Sequence, residues 1–254
     1  MSSSIWTLAE LSSKIAGLAG RCWRIVEAQH HVSTMKITDT LEEQKILEGL
    51  IEETKPPIPS GCEGLDFLLM TPFRYSGQNP NGTRFRRPNA PEGVFYAAEH
   101  SSTAIAEMAF YRLLFFAESP LTPWPQNPGE YTAFAAEFAS EQGLDLTVSP
   151  FADHARLYDL VDYSFSQVLA DQARKAGIAI LKYASVRDPQ RKSNFAILSP
   201  GAFAKPAPVD RQSWKLHLDG NGVRAVCEAP RISIGFDRDT FSKDPRMQGF
   251  LWVR

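Results

Sequence analysis

Apolar residues at Leu8, Leu11, Ile15 and Leu18 follow helical spacing, and Thr7 with Glu10 forms a capping-box pattern ahead of them. They predict a short amphipathic helix ending near Gly20. Trp23 to Val26 reads as a strand that carries Arg24. Thr40 with Glu43 opens a second helix with Leu47, Leu50 and Ile51 on its apolar face, and Pro56, Pro57 and Pro59 stop it. Residues 76–93 are rich in Gly, Pro and Asn and predict a long loop, a length that usually carries function or disorder. A strand from Val94 to Ala97 follows, then a helix from about Thr103 to Phe116 that Ser101 or Ser102 can cap. Pro120, Pro123, Pro125 and Pro128 make an extended connector to a strand at Tyr131 to Phe138.

The second half reads similarly. A helix from about Phe165 to Ala176 closes at Gly177, and the apolar run Ile178 to Tyr183 predicts a buried strand. Ser185 lies just past its end, and a charged loop leads to a strand at Phe195 to Leu198. Pro206 and Pro208 mark a boundary between residues 1–205 and a C-terminal extension, 206–254, expected to pack on the same domain. Within it, Asp219-Gly220-Asn221-Gly222 between two short apolar segments is a hairpin signal. Strands mixed irregularly with helices predict an α+β fold rather than a regular βαβ array.

Composition narrows the function classes. A 43% hydrophobic fraction over 254 residues is ample for a core. The net charge of −2 argues against duplex binding, which needs a strongly basic surface, so no direct nucleic-acid partner is expected. No run approaches the length of a membrane span, and the N-terminus has neither a basic nor an apolar leader segment, so the cytoplasm is the expected compartment. Cys22, Cys62 and Cys227 lack zinc-ligand spacing and read as reduced structural residues. Of five histidines only His30 and His31 adjoin, and sequence neighbours point apart on a strand, so no metal site is expected. Glycine-rich dinucleotide and phosphate loops are also missing.

Four residues stand out. Glu107 falls beside an apolar stripe of Ala104, Met108, Tyr111 and Phe115, so its carboxylate sits inward or at the margin of the buried face; the bland alternative is a first-turn glutamate that favours the helix dipole. Arg84 lies after Gly82 in the long loop, either solvated or poised for bidentate capture of a phosphate or carboxylate. Tyr96 is a core aromatic or a pocket residue, and Ser185 a turn former or a site residue.

Together these positions match a family pattern. Gly82-Thr83-Arg84-Phe85-Arg86-Arg87-Pro88, then Val94-Phe95-Tyr96-Ala97-Ala98 and Ala104-Ile105-Ala106-Glu107, resembles the RES-domain family. Gly177-Ile178 leading to Tyr183-Ala184-Ser185-Val186-Arg187 resembles its second block, and Arg24 its early basic position. The resemblance spans about residue 20 to residue 203 and departs from the pattern at Phe85, Arg86 and Ala184. It implies a mixed, mostly antiparallel β core flanked by helices, similar to the ADP-ribosyltransferase fold, with residues 1–205 as the catalytic domain.

It further implies an enzyme that depletes NAD as the toxin of a toxin–antitoxin pair, restrained by a small Xre-like antitoxin. NAD is then the substrate, with no separate cofactor. Glu107, Arg84 and Ser185 are implied as catalytic and Arg24, Tyr96, Arg86 and Arg187 as substrate-binding. Water or inorganic phosphate serves as acceptor, making the enzyme a glycohydrolase or a phosphorylase. Two alternatives stand beside it: an ADP-ribosyltransferase that modifies a macromolecule, and a non-catalytic nucleotide- or partner-binding module.

Overall fold

The computed structural model describes residues 6–28, 37–75 and 80–254; His30 and His31, the one adjacent histidine pair, lie outside them. Eight strands form one sheet in the order β1-β2-β5-β4-β3-β6-β7-β8. They are β1 (Ala16–Glu27), β2 (Phe95–Ala98), β3 (Gly129–Asp145), β4 (Ile180–Ala184), β5 (Ser193–Ile197), β6 (Asp210–Asp219), β7 (Gly222–Cys227) and β8 (Ile232–Asp237). The helices are α1 (Leu8–Ser12), α2 (Leu41–Glu53), α3 (Phe67–Arg74), α4 (Ser101–Glu118) and α5 (Ser164–Lys175). The fold is mixed α+β, and among the described strand pairs only β3–β4 is parallel.

The long strand β3 organises the sheet. One edge pairs with β1 along nearly its whole length. On the other edge Gly129–Ala135 takes β6 and Gly143–Asp145 takes β4. Because β1 also meets β2 at Trp23 and Ala98, strands β1, β2, β5, β4 and β3 close on themselves. Strands β6 to β8 extend the same sheet, so residues 206–254 continue it without a break.

Three apolar clusters hold this frame. Phe95, Phe134, Phe138 and Phe195 from the closed strands pack with Leu69 and Phe73 of α3. Leu169 and Ala173 of α5 pack on Leu144, Leu181 and Phe85. Phe110 and Leu113 of α4 pack on Trp214, Leu216 and Phe236 of the extension. All three cysteines are free and buried.

Tertiary pairing overrides local spacing at the N-terminus. The Thr7–Glu10 capping box is present, but α1 ends at Ser12, and Leu18 and Gly20 belong to β1 rather than to a helix. The ladder with β3 supplies backbone partners from Ala16 onward, which helical spacing at Ile15 and Leu18 does not reveal. Helix α3 is unexpected because Pro72 lies inside it; Asp66 caps its start, accepting from Leu68 N–H at 2.8 Å, and Leu68, Leu69 and Phe73 are buried. Helix α4 begins at Ser101 with His100 as its cap position and no side-chain cap bond, two residues earlier than expected.

Candidate functional site

A cavity of about 800 Å³ opens between α4, the β2–β5–β4 surface, the Gly82–Arg84 turn and the residues after Leu157. That volume lies in the range of small-molecule sites. Glu107 lines it from α4. The expected stripe divides: Ala104 is buried in the core with Met108 packed against it, Ala104, Met108 and Tyr111 also line the cavity beside Glu107, and Tyr111 and Phe115 are half exposed. The core side of α4 further holds Ile105, Ala109, Phe110, Leu113 and Phe116. A helix apolar on most sides hides which face is buried.

The Glu107 carboxylate is held from one oxygen. Ser185 Oγ–H donates to Oε1 at 2.7 Å, and Asn194 Nδ2–H donates to the same oxygen at 2.7 Å. Ser185 is fully buried and itself accepts from Arg187 N–H at 3.1 Å and Asp188 N–H at 2.9 Å. With those acceptor positions used, its hydroxyl proton is directed at Glu107. Asp188 then accepts from Thr103 Oγ1–H of α4 at 2.7 Å, which ties the β4–β5 loop to the first turn of the helix. Oε2 of Glu107 makes no hydrogen bond among the described residues. Burial, and after it the Glu107 charge, holds the neighbouring Tyr183 phenol well above its usual pKa.

Asn194 escaped sequence reasoning. It sits in a short apolar strand paired with Ala98 and Tyr183, and a single polar residue on that face was the only available signal. Its side chain lines the cavity, and its Oδ1 is buried without a partner.

The cations divide. Arg24 lines the cavity, donates to Tyr96 O at 2.8 Å, lies 5.2 Å from the Phe95 ring centroid and has no carboxylate partner among the described residues. Burial pulls its pKa down to about 10, so it remains charged at neutral pH. Arg84 also lines the cavity and is 7% exposed, but it donates to Leu157 O at 2.7 Å and Asp159 O at 2.8 Å and lies 4.7 Å from the Tyr163 centroid. It therefore shapes the wall and presents only its remaining N–H groups. Arg187 lines the cavity, pairs with Asp244 and donates to Leu160 O at 2.6 Å.

Arg86 is not part of the lining; it is 7% exposed, and its Nε is buried without a partner. Ser185 is also outside the lining and reaches the site only through Glu107. The physical reason for the Arg84–Arg86 split is a tight turn. Thr83 N–H donates to Arg86 O at 2.8 Å and Arg86 N–H to Thr83 O at 3.2 Å, which sends the two side chains apart.

Tyr96 holds that turn from the sheet. Its hydroxyl lies 2.7 Å from Thr83 Oγ1 and accepts from Phe85 N–H at 2.9 Å. Gly82 makes the turn sterically feasible: its φ is +65°, and a Cβ would stand 2.8 Å from both Arg86 O and Pro88 N. Neither contact is a flexible side chain, so Gly82→Ala is expected to cost about 1–3 kcal/mol and lower the thermal midpoint, checked by thermal unfolding. An unchanged midpoint would contradict this role for the turn.

Among the described residues no three His, Cys, Asp or Glu side chains are placed to hold a metal ion, and no helix is long and apolar enough to cross a membrane.

The RES domain family matches residues 58–219, more than half the chain. A solved structure, the M. tuberculosis MbcT–MbcA toxin–antitoxin complex, is similar at a TM-score of 0.44 and 12% identity, covering 92% of this chain and 96% of that one. No curated protein matches the sequence.

Proposed function

This chain belongs to the RES-domain family, and on that premise we propose that it cleaves the nicotinamide–ribose bond of NAD and acts as the toxin of a toxin–antitoxin pair. The observation that carries the reading is Glu107: a carboxylate fixed through Oε1 by Ser185 and Asn194, lining a cavity walled by Arg24, Arg84 and Arg187. Nicotinamide is a cationic substituent and leaves neutral, so departure needs no general acid. Positive charge develops on the ribose instead. A preorganised carboxylate stabilises it, typically by a factor of about 100–1000. The arginines suit the pyrophosphate, with Arg24 and Arg84 lacking a carboxylate partner among the described residues, and the cavity wall of Tyr96 and Tyr183 suits the planar rings.

Ser185 acts through Glu107 in this scheme and is a positioning residue. Ser185→Ala is expected to lower kcat for NAD about 10- to 100-fold with little change in KM, because it misplaces the carboxylate without removing a binding group. Steady-state kinetics on folded protein checks this; a rise in KM at constant kcat would show that Ser185 binds substrate directly. Acceptor water gives nicotinamide and ADP-ribose, and phosphate gives the phosphorylated sugar. The half-exposed Tyr111 and Val161 in the cavity lining suit a covering protein partner, which in this reading is an Xre-like antitoxin.

A further inference from the structure

The part of the chain that lies beyond the RES match returns to the cavity. After β8 it packs Phe241 and Met247 against Phe110 of α4 in a shared apolar cluster. A single 3-10 turn, Pro245–Met247, is opened by Asp244, whose Oδ1 accepts from Arg246 N–H at 2.9 Å. This turn places Arg246 in the cavity wall.

Asp244 is 2% exposed and serves two guanidinium groups. Arg187 pairs with Oδ2, and Arg246 reaches Oδ1 through Nε at 3.0 Å and Oδ2 through Nη2 at 2.9 Å. Both arginines also donate to Leu160 O and lie over the Phe110 ring, Arg187 at 3.9 Å and Arg246 at 5.2 Å. Burial pushes the Asp244 carboxyl upward, but the hydrogen bonds and charges of Arg246 and Arg187 outweigh it and keep the group ionised. Two cations share one carboxylate, so this wall keeps one net positive charge.

The two arginines are not equivalent. The Arg187 side chain is 3% exposed, whereas that of Arg246 is 27% exposed. Nη1 of Arg246 makes no hydrogen bond among the described residues. It is the part of the pair free to meet a ligand in the cavity.

We infer that Arg246 binds a phosphoryl group of the dinucleotide, so that the C-terminal segment completes the site. The inference rests on the NAD reading above. The chemistry is the same whether the group is the pyrophosphate of NAD or the added phosphate of NADP, and kinetics with each separates the two. In full-length Arg246→Gln, KM is expected to rise about tenfold, the effect of losing one hydrogen bond to a charged group, while kcat is retained. Arg246→Lys is expected to recover part of the loss, since it keeps the charge but not the fork. A rise for NAD assigns the pyrophosphate; a rise confined to NADP assigns the added phosphate; either supports the inference. Unchanged KM for both in a variant that melts like wild type overturns it, as does a fall in kcat at constant KM, which marks a purely structural turn. Calorimetric titration with ADP separates this inference from the NAD reading. If wild type leaves both dinucleotides intact, about tenfold weaker ADP binding by Arg246→Gln still supports the contact. Equal binding, or no binding to wild type, removes it.

Discussion

Glu107→Gln is expected to leave a folded protein that turns over NAD about 100- to 1000-fold more slowly. Glutamine keeps the shape of the side chain and can still accept from Ser185 and Asn194 through one oxygen, so the α4–β5 contacts survive. What it removes is the negative charge at the position now held by Oε2. Only that charge distinguishes ground state from transition state, because the ribose becomes positive as nicotinamide departs. The loss should therefore appear in kcat and kcat/KM together, with KM nearly constant. Steady-state NAD consumption alongside a thermal melt checks this. Near-normal turnover by a folded variant would remove the carboxylate from the mechanism.

Arg24→Met is expected to separate stability from binding. Arg24 is a partly buried cation whose pKa is depressed to about 10 by the loss of solvent around it, with one bond to Tyr96 O and no carboxylate partner among the described residues. The charged form is thus less favourable in the folded chain than in the unfolded one. By linkage, this one group's contribution to stability rises with pH from about 10 upward, as the folded state releases its proton before the unfolded state does. At neutral pH the charge is a cost. Methionine relieves it, which offsets the roughly 1 kcal/mol lost with the bond to Tyr96. The variant should melt at or above the wild-type temperature yet show a KM for NAD raised more than about tenfold, since charge-assisted bonds to phosphate are among the stronger ones. A variant that melts far lower with unaltered KM would make Arg24 a structural residue instead.

The same contrast explains what could be read from the chain. Glu107 was legible because helical spacing put it beside an apolar stripe, and the family pattern singled it out. Spacing could not tell that the stripe faces a cavity, since α4 is apolar on nearly every side. Arg84 and Arg86 looked interchangeable, and only the turn made by Thr83, held by Tyr96 and admitted by Gly82, parts them. For Ser185 the resemblance left two roles open, a bond to the ribose or orientation of Glu107, because parting them depends on a bond between residues 78 positions apart. Asn194 and Arg246 were missed for a related reason: each acts on a partner distant in sequence, and neither lies in a pattern with a local period. The α+β class followed from the irregular order of elements. The closure of the sheet did not, because β3 pairs on both edges over most of 17 residues where a strand of eight was expected.

The central claim is that this chain breaks the nicotinamide–ribose bond, and the direct test is to incubate the purified protein with NAD and quantify the products. The account predicts free nicotinamide released in proportion to the NAD lost, with the ADP-ribose half recovered as a small molecule. NAD left intact would contradict it, and an ADP-ribose half recovered on a macromolecule would contradict the choice of acceptor.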